Sequence, residues 1–337
     1  MLLIKYPILE GNFTIGVTAP SSGLTETMYG YIHDIKKRFS NHEINIAPTT
    51  LMQHKAKSTE ADVRASELNA FFKDHTTDII IPPFGGELAL EIINKIDYRQ
   101  LRTKWLLGYS DISTILLAIT LKTGIATAHG PNLVDLRGVY SDSTTDMWTK
   151  VLKTKTGGEV IQCSSEKYQS KWDHNNPTEC VFNLDSPTEW KVVNEDEVQI
   201  EGRLLGGCTD VIHHLIGTPF GDVNKFRETF INNDAVIWYL ENCEASSTEF
   251  RRTLLQMQLA GWFDNCSGLL FGRTRVVDDI EGYTIDDVYK DLAEELKMPV
   301  IYDIDCGHMP PQMTFINGAY AIVECKNGNG KLTQRFI

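Results

Sequence analysis

Cysteine pairs at ligand spacing, runs of basic residues and long apolar stretches are all missing from this chain, and each absence removes a class of function. The seven cysteines fall at 163, 180, 208, 243, 266, 306 and 325, an odd number with no C-x-x-C pair. A disulfide framework and a zinc ribbon are therefore not expected. Lys and Arg total 32 against 45 Asp and Glu, a formal net charge of -13. With no Lys/Arg-rich stripe to reverse that sign locally, a nucleic-acid polymer is not an expected partner. A single nucleotide or a small peptide stays open, because it needs only a local pocket. No segment reaches the ~18 consecutive apolar residues that span a bilayer. The opening MLLIKYPILEGNFTIG lacks the basic start, sustained apolar run and small-residue cleavage site of a signal peptide. The expectation is a cytoplasmic protein with no membrane partner.

What is present suits an α/β protein of two parts, since 337 residues exceed a single core of roughly 150 residues. The first half alternates β-rich runs with helical patterns, the signature of a parallel sheet covered by helices. Strands are expected at 13–18, 78–81, 104–108 and 125–128, with helices at ELALEIINKI and from Asp111 onward (DISTILLAIT). From about 141 to 200 the chain turns polar and weakly periodic, which reads as a bridge holding an inserted hairpin. Regular patterns return with DAVIWYL, STEFRRTLLQMQLAGW, SGLLFG, IDDVYKDLAEEL, PVIYDID and AYAIVEC. The division is 1–145 as an N-terminal α/β domain, 146–200 as the bridge and 201–337 as a C-terminal domain.

Ser110 is the sharpest chemical signal. The strand KWLLG ends in Tyr109-Ser110-Asp111 and a helix begins at once, the geometry that projects a hydroxyl from the carboxyl edge of a sheet as a nucleophile elbow. The match is partial, because Ile112 stands where G-x-S-x-G has its second glycine, and a simple helix cap by Ser110 or Asp111 is the competing reading. PPFGG at 82–86 also follows a strand. Its adjacent Gly85 and Gly86 let the backbone approach a ligand, and its amides together with that of Asp111 suit an oxyanion hole. The plainer alternative is an ordinary βα turn.

A serine needs a base oriented by a carboxylate. His308, in CGHMPPQ, and His129, in TAHGPN, both follow strands and compete for that role, while His213 and His214 sit in an apolar helical run. Glu241 ends the strand AVIWYL, with Glu244 its nearest competitor. Serine, glutamate and histidine can thus each sit just past a strand's carboxyl end, where open α/β sheets build sites. Cys306-Gly-His308 is the only tight Cys/His pair and lacks partners at ligand spacing, so no metal and no cofactor are expected.

Taken in order, TAPSSG, GYSDIST, HGPN, GRLLGG, YLENCE and DCGHMPPQMTFINGA resemble the LD-carboxypeptidase family of serine peptidases, over nearly the whole chain. The resemblance implies an amidotransferase-like N-terminal domain joined to a C-terminal domain with a small β-barrel and helices, the active site lying between them. It implies Ser110 as nucleophile, Glu241 as acid, His308 as base, the amides of Gly86 and Asp111 as oxyanion donors, and His129 as a supporting residue. Cys208 departs from the pattern, since GG in relatives usually continues with Asn. The length and the long bridge are most similar to the microcin C immunity branch, which cleaves the bond between an acidic residue and a nucleotide-like group. Release of terminal D-alanine from murein tetrapeptides is the alternative, and a non-catalytic binder of small ligands a second. Gly85 and Trp190 are then expected to meet the substrate, Trp190 by stacking on a base or else by packing between domains. A homodimer acting on a muropeptide or an aminoacyl-nucleotide is the expectation by resemblance.

Overall fold

Apolar runs without alternation, such as WLLG and VIWYL, require strands covered on both faces. The computed structural model, which describes residues 3–171, 176–276 and 279–337, shows how they are covered. In chain order the first strands are β1 (Thr14–Val17), β2 (Glu43–Ile46), β3 (Ile79–Ile80), β4 (Trp105–Gly108) and β5 (Thr127–His129). Next come β6 (Glu159–Cys163), β7 (Lys167–Tyr168), β8 (Ser186–Pro187), β9 (Lys191–Val192), β10 (Glu197–Cys208) and β11 (Val236–Glu241). The last are β12 (Cys266–Gly272), β13 (Val300–Ile304), β14 (Phe315–Asn317), β15 (Tyr320–Lys326) and β16 (Asn329–Arg335).

These build a mixed α/β molecule with two main sheets. The first has the order β14-β5-β4-β3-β1-β2 and is parallel except for β14. The second runs β6-β16-β15-β10-β11-β12-β13-β9, with β10 to β13 parallel. Helix Ile112–Thr123 contacts strands of both sheets, β5 and β10 among them. Its residues 112–121 are all buried, which is why DISTILLAIT shows no polar face. Along β11 the side chains alternate between two cores: Val236, Trp238 and Leu240 face the one shared with the helices, while Ile237 and Tyr239 face a second. That second core also takes in Trp190, just before β9, whose backbone N donates to Gly328 O in the turn between β15 and β16.

Two expectations change. ELALEIINKI forms a 3-10 helix, Ala89–Lys95, rather than an α-helix. The groups at its start are engaged elsewhere, Leu88 O by Arg64 and Ala89 N by the Asp111 carboxylate. The polar segment after 141 is more than a bridge. It holds a helix, Met147–Leu152, anchored by buried Trp148, and supplies both edge strands of the second sheet, with β7 and β8 as a small antiparallel pair.

Trp190 is the clearest correction. It is 1% exposed, its ring lies against Gly330, and its Nε1 donates to Asp305 Oδ2 at 3.0 Å. Asp305 is itself buried and paired with Arg273. An enclosed indole with its one donor satisfied has no face to offer a base, so packing accounts for it. Trp190→Ala is therefore expected to cost about 3–5 kcal/mol of stability, seen as a lower denaturation midpoint. The relative turnover of nucleotide-bearing and muropeptide substrates should not move.

Candidate active site

Ser110 has a φ of +62°, a conformation that costs a non-glycine residue of order 1–3 kcal/mol and persists only when its surroundings enforce it. They do. Tyr109 N donates to Asn132 Oδ1, Gly130 N to Gly108 O, and the Asp111 carboxylate takes Ser21 Oγ at 2.5 Å and Ala89 N at 2.7 Å. The APSSG turn, the PPFGG turn and HGPN are thereby tied to one strand end. A Cβ on Gly85 would lie 2.7 Å from Ser110 Oγ, so only glycine lets that backbone pass beside the hydroxyl. Gly86 follows at a φ of +135°.

The serine meets residues from the other sheet. Ser110 Oγ is 3.0 Å from His308 Nε2, and His308 Nδ1 is 2.8 Å from Glu241 Oε2. The same carboxylate oxygen accepts the His308 backbone amide at 2.8 Å. Glu241 reaches that position from the end of β11, on the face already used by Ile237 and Tyr239. His308 follows β13 by a turn in which Gly307 has a φ of +90°. A Cβ there would sit 1.8 Å from Glu241 Oε2, so the close approach needs glycine as much as the turn does. Tyr109 packs edge-on to the His308 ring at 5.0 Å between centroids.

The electrostatics separate the two histidines that the sequence leaves in competition. Burial works against a charged His308, but the Glu241 carboxylate and the Cys243 thiol outweigh it and hold its pKa well above the ordinary value. Glu241 is lowered despite its burial, by the same imidazole. His129, fully enclosed, is pushed down to about 4 by burial and is neutral. Its Nε2 lies 3.9 Å from Glu241 Oε1, beyond hydrogen-bond range, and its ring packs on Tyr239 and Tyr109. It lies behind Glu241 and does not meet Ser110. Glu244 is exposed, and its backbone amide is held by Asp210.

Ser110, His308, Gly85 and Gly86 open on a cavity of about 330 Å³, a size ordinary for small-ligand sites. Met28, Tyr31, Phe84, Tyr109 and Val134 supply its apolar lining, and Ser22, Asn132, Asp135 and Arg137 its polar groups. Arg137 lies over the Tyr31 ring at 4.6 Å. Buried Asp135 is raised to about 6 by desolvation. Trp190 is absent from this lining. Tyr31, Asp135 and Arg137 carry no motif of their own, although Asn132 and Ser22 belong to HGPN and APSSG and were within reach of a motif reading.

Comparison with known proteins agrees with this architecture. The family model for the LD-carboxypeptidase N-terminal domain matches residues 15–130, and that for the C-terminal domain residues 201–323. A Vibrio cholerae serotype O1 protein named as a carboxypeptidase is 26% identical over 81% of this chain and 80% of its own length. The microcin C7 self-immunity protein MccF of Escherichia coli is 23% identical over 81% of this chain and 79% of its own. Among solved structures, MccF in complex with glutamyl sulfamoyl guanosine superposes with a TM-score of 0.83 at 20% identity, covering 99% of both chains. The muramoyltetrapeptide carboxypeptidase of Oxalobacter formigenes gives 0.72 at 20%, covering 96% of this chain and 98% of that one. With two successive domain models matched in order, this chain belongs to the LD-carboxypeptidase family of peptidases.

Proposed function

We propose that the protein is a serine hydrolase with Ser110 as nucleophile, His308 as general base and Glu241 as the carboxylate that orients it. The observation that carries this reading is the unbroken chain from Ser110 Oγ through the His308 ring to Glu241 Oε2 at 3.0 and 2.8 Å, opening on a cavity. Ser110 Oγ attacks the substrate carbonyl while its proton passes to Nε2. Glu241 keeps the other ring proton on Nδ1 and stabilises the imidazolium. The amides of Gly86 and Asp111 receive the developing oxyanion. His308 then returns the proton to the leaving nitrogen, and water, activated by the same base, releases the acyl group from Ser110.

For the substrate we favour an amide joining an aminoacyl group to a nucleotide-like moiety. Solved MccF complexes hold glutamyl sulfamoyl guanosine and aspartyl sulfamoyl adenosine. Here Tyr31 and Phe84 offer aromatic faces for a planar base, and Arg137 a guanidinium for an anionic or sulfamoyl link. Gly85 is the backbone that lets such a ligand approach. The murein reading rests on the likeness to the muramoyltetrapeptide carboxypeptidase, where Arg137 would meet a terminal carboxylate. No helix among the described residues is long and apolar enough to cross a membrane, and cytoplasmic action as a homodimer is part of this proposal.

Hydrolysis of an aminoacyl-sulfamoyl adenylate and of a murein tetrapeptide, measured side by side, tests it. Release of D-alanine with no action on the adenylate would overturn the substrate assignment. On the substrate that is turned over, Arg137→Ala should remove a charged hydrogen bond of about 1.5–3 kcal/mol. That corresponds to a KM raised roughly ten- to a hundredfold, with a smaller change in kcat.

A further inference from the structure

Three buried groups that lie far apart in the sequence converge behind the reacting histidine. The Cys208 sulfur, a Glu241 carboxylate oxygen and a His308 nitrogen all lie within 4.8 Å of one another. The second thiol, Cys243, hydrogen-bonds the same imidazole. Glu241 Oε1 is buried and has no hydrogen-bond partner among the described residues. We propose that these residues form an inhibitory site for a thiophilic divalent cation of the zinc type, with Cys208, Glu241 and His308 as ligands and Cys243 available as a fourth.

Sulfur, imidazole nitrogen and carboxylate oxygen are the donors zinc and cadmium prefer, and tetrahedral bonds set neighbouring donors ~3.3 to 3.8 Å apart. Donors now within 4.8 Å need to close by at most roughly 1 Å, while His308 Nδ1 and Glu241 Oε2, 2.8 Å apart, need to open by about 0.5 Å to admit the cation. The cation reaches them through the cavity, which His308 lines. The nitrogen facing Glu241 is Nδ1, so a cation shared between the two takes the place of the Nδ1 proton. From the neutral ring that proton moves to Nε2, from the imidazolium it leaves to solvent, and the Cys208 thiol proton likewise leaves to solvent as the thiolate binds. Nε2 then carries a hydrogen toward Ser110 Oγ and can no longer accept one, so the base is lost while the fold remains intact. Neither Cys306, the cysteine nearest His308 in sequence, nor Cys243 is among the three donors already grouped within 4.8 Å, and of the two only Cys243 contacts the imidazole. Loss of hydrolysis on binding rests on the proposed serine mechanism, but binding itself does not.

The test uses the whole protein stripped with a chelator, then titrated with cadmium or zinc chloride alone. Calorimetry should show one cation per chain, and cadmium an ultraviolet charge-transfer band from its thiolate ligand. Cys208→Ser, with a hydroxyl that can still donate to Asp210, should weaken binding at least ~100-fold, more than loss of an outer-shell partner. Cys243→Ser serves as the second variant. Each protein's metal-free activity is the reference for its own inhibition, which excess chelator should reverse. Equal affinity in wild type and both variants, or no thiolate band, overturns the site. Binding with the band but undiminished hydrolysis supports the site and instead overturns the assignment of His308 as base.

Discussion

Replacing Ser110 with alanine is expected to lower turnover by about 10⁶-fold, the scale seen when a nucleophile is removed from a set of residues acting as a unit. The same variant should fold normally. Ser110 sits at the rim of a cavity, half-buried, and apart from the contact with His308 its hydroxyl makes no hydrogen bond among the described residues. Its carbonyl still accepts Ser113 N at 2.8 Å, and alanine occupies the same strained backbone at no further cost. A denaturation midpoint within about 0.5 kcal/mol of wild type, together with loss of hydrolysis on a confirmed substrate, is the expected pair of results. Near-native turnover in Ser110→Ala would sink the serine mechanism. Adding His308→Ala to it should cost almost nothing more, because the imidazole has no proton left to accept.

The parts of this arrangement that were legible in the sequence are local ones. A strand that stops at Gly108, a serine, and a helix at once is a short-range pattern, and the same holds for Glu241 at the end of AVIWYL and His308 after PVIYDID. Which histidine meets Ser110 is not local. His129 and His308 both follow strands, and the residues alone left them in competition until the family resemblance favoured His308. The structure places His129 on β5 opposite Phe315 of β14, behind the carboxylate, and His308 against Ser110. That distinction depends on strand order across two sheets, which spacing along the chain does not encode. Trp190 failed for a related reason. Its neighbours are polar because β9 is a short edge strand, but the indole itself packs against Gly330 and Asp305, more than a hundred residues later. Cys208 and Cys243 were unremarkable as spacings and become neighbours of the imidazole only because β10 and β11 pair in parallel, Cys208 opposite Glu241.

Glu241→Gln is expected to reduce kcat by roughly 10⁴-fold, the cost of losing the orienting carboxylate in comparable triads, and also to move the pH dependence. The carboxylate oxygen at issue accepts both the Nδ1 hydrogen and the His308 backbone amide. If the glutamine presents its oxygen there, the geometry survives but no charge stabilises the imidazolium. If it presents its nitrogen, it meets the backbone N–H with another donor and forces the ring proton onto Nε2, away from the role of base. Either orientation leaves the histidine ineffective, and neither requires the fold to change. The sign of the pH effect follows from what sets the His308 pKa. Burial lowers it, and Glu241 with Cys243 raises it well above the usual value. The wild-type profile of kcat/KM should therefore climb with pH to an acid limb above the ordinary histidine value of ~6.5, because the base is charged and silent below it. The Glu241–His308 ion pair also stabilises the fold below ~6.5, and that contribution is lost as pH rises through the elevated pKa. In Glu241→Gln the largest raising influence is gone and burial acts with less opposition, so the residual activity should show its acid limb at lower pH than wild type. An acid limb that stays in place would mean that a group other than His308 titrates there. Buried Asp135, raised to about 6 beside the same cavity, is the one to test next, since Asp135→Asn would then abolish the limb and Glu241→Gln would not.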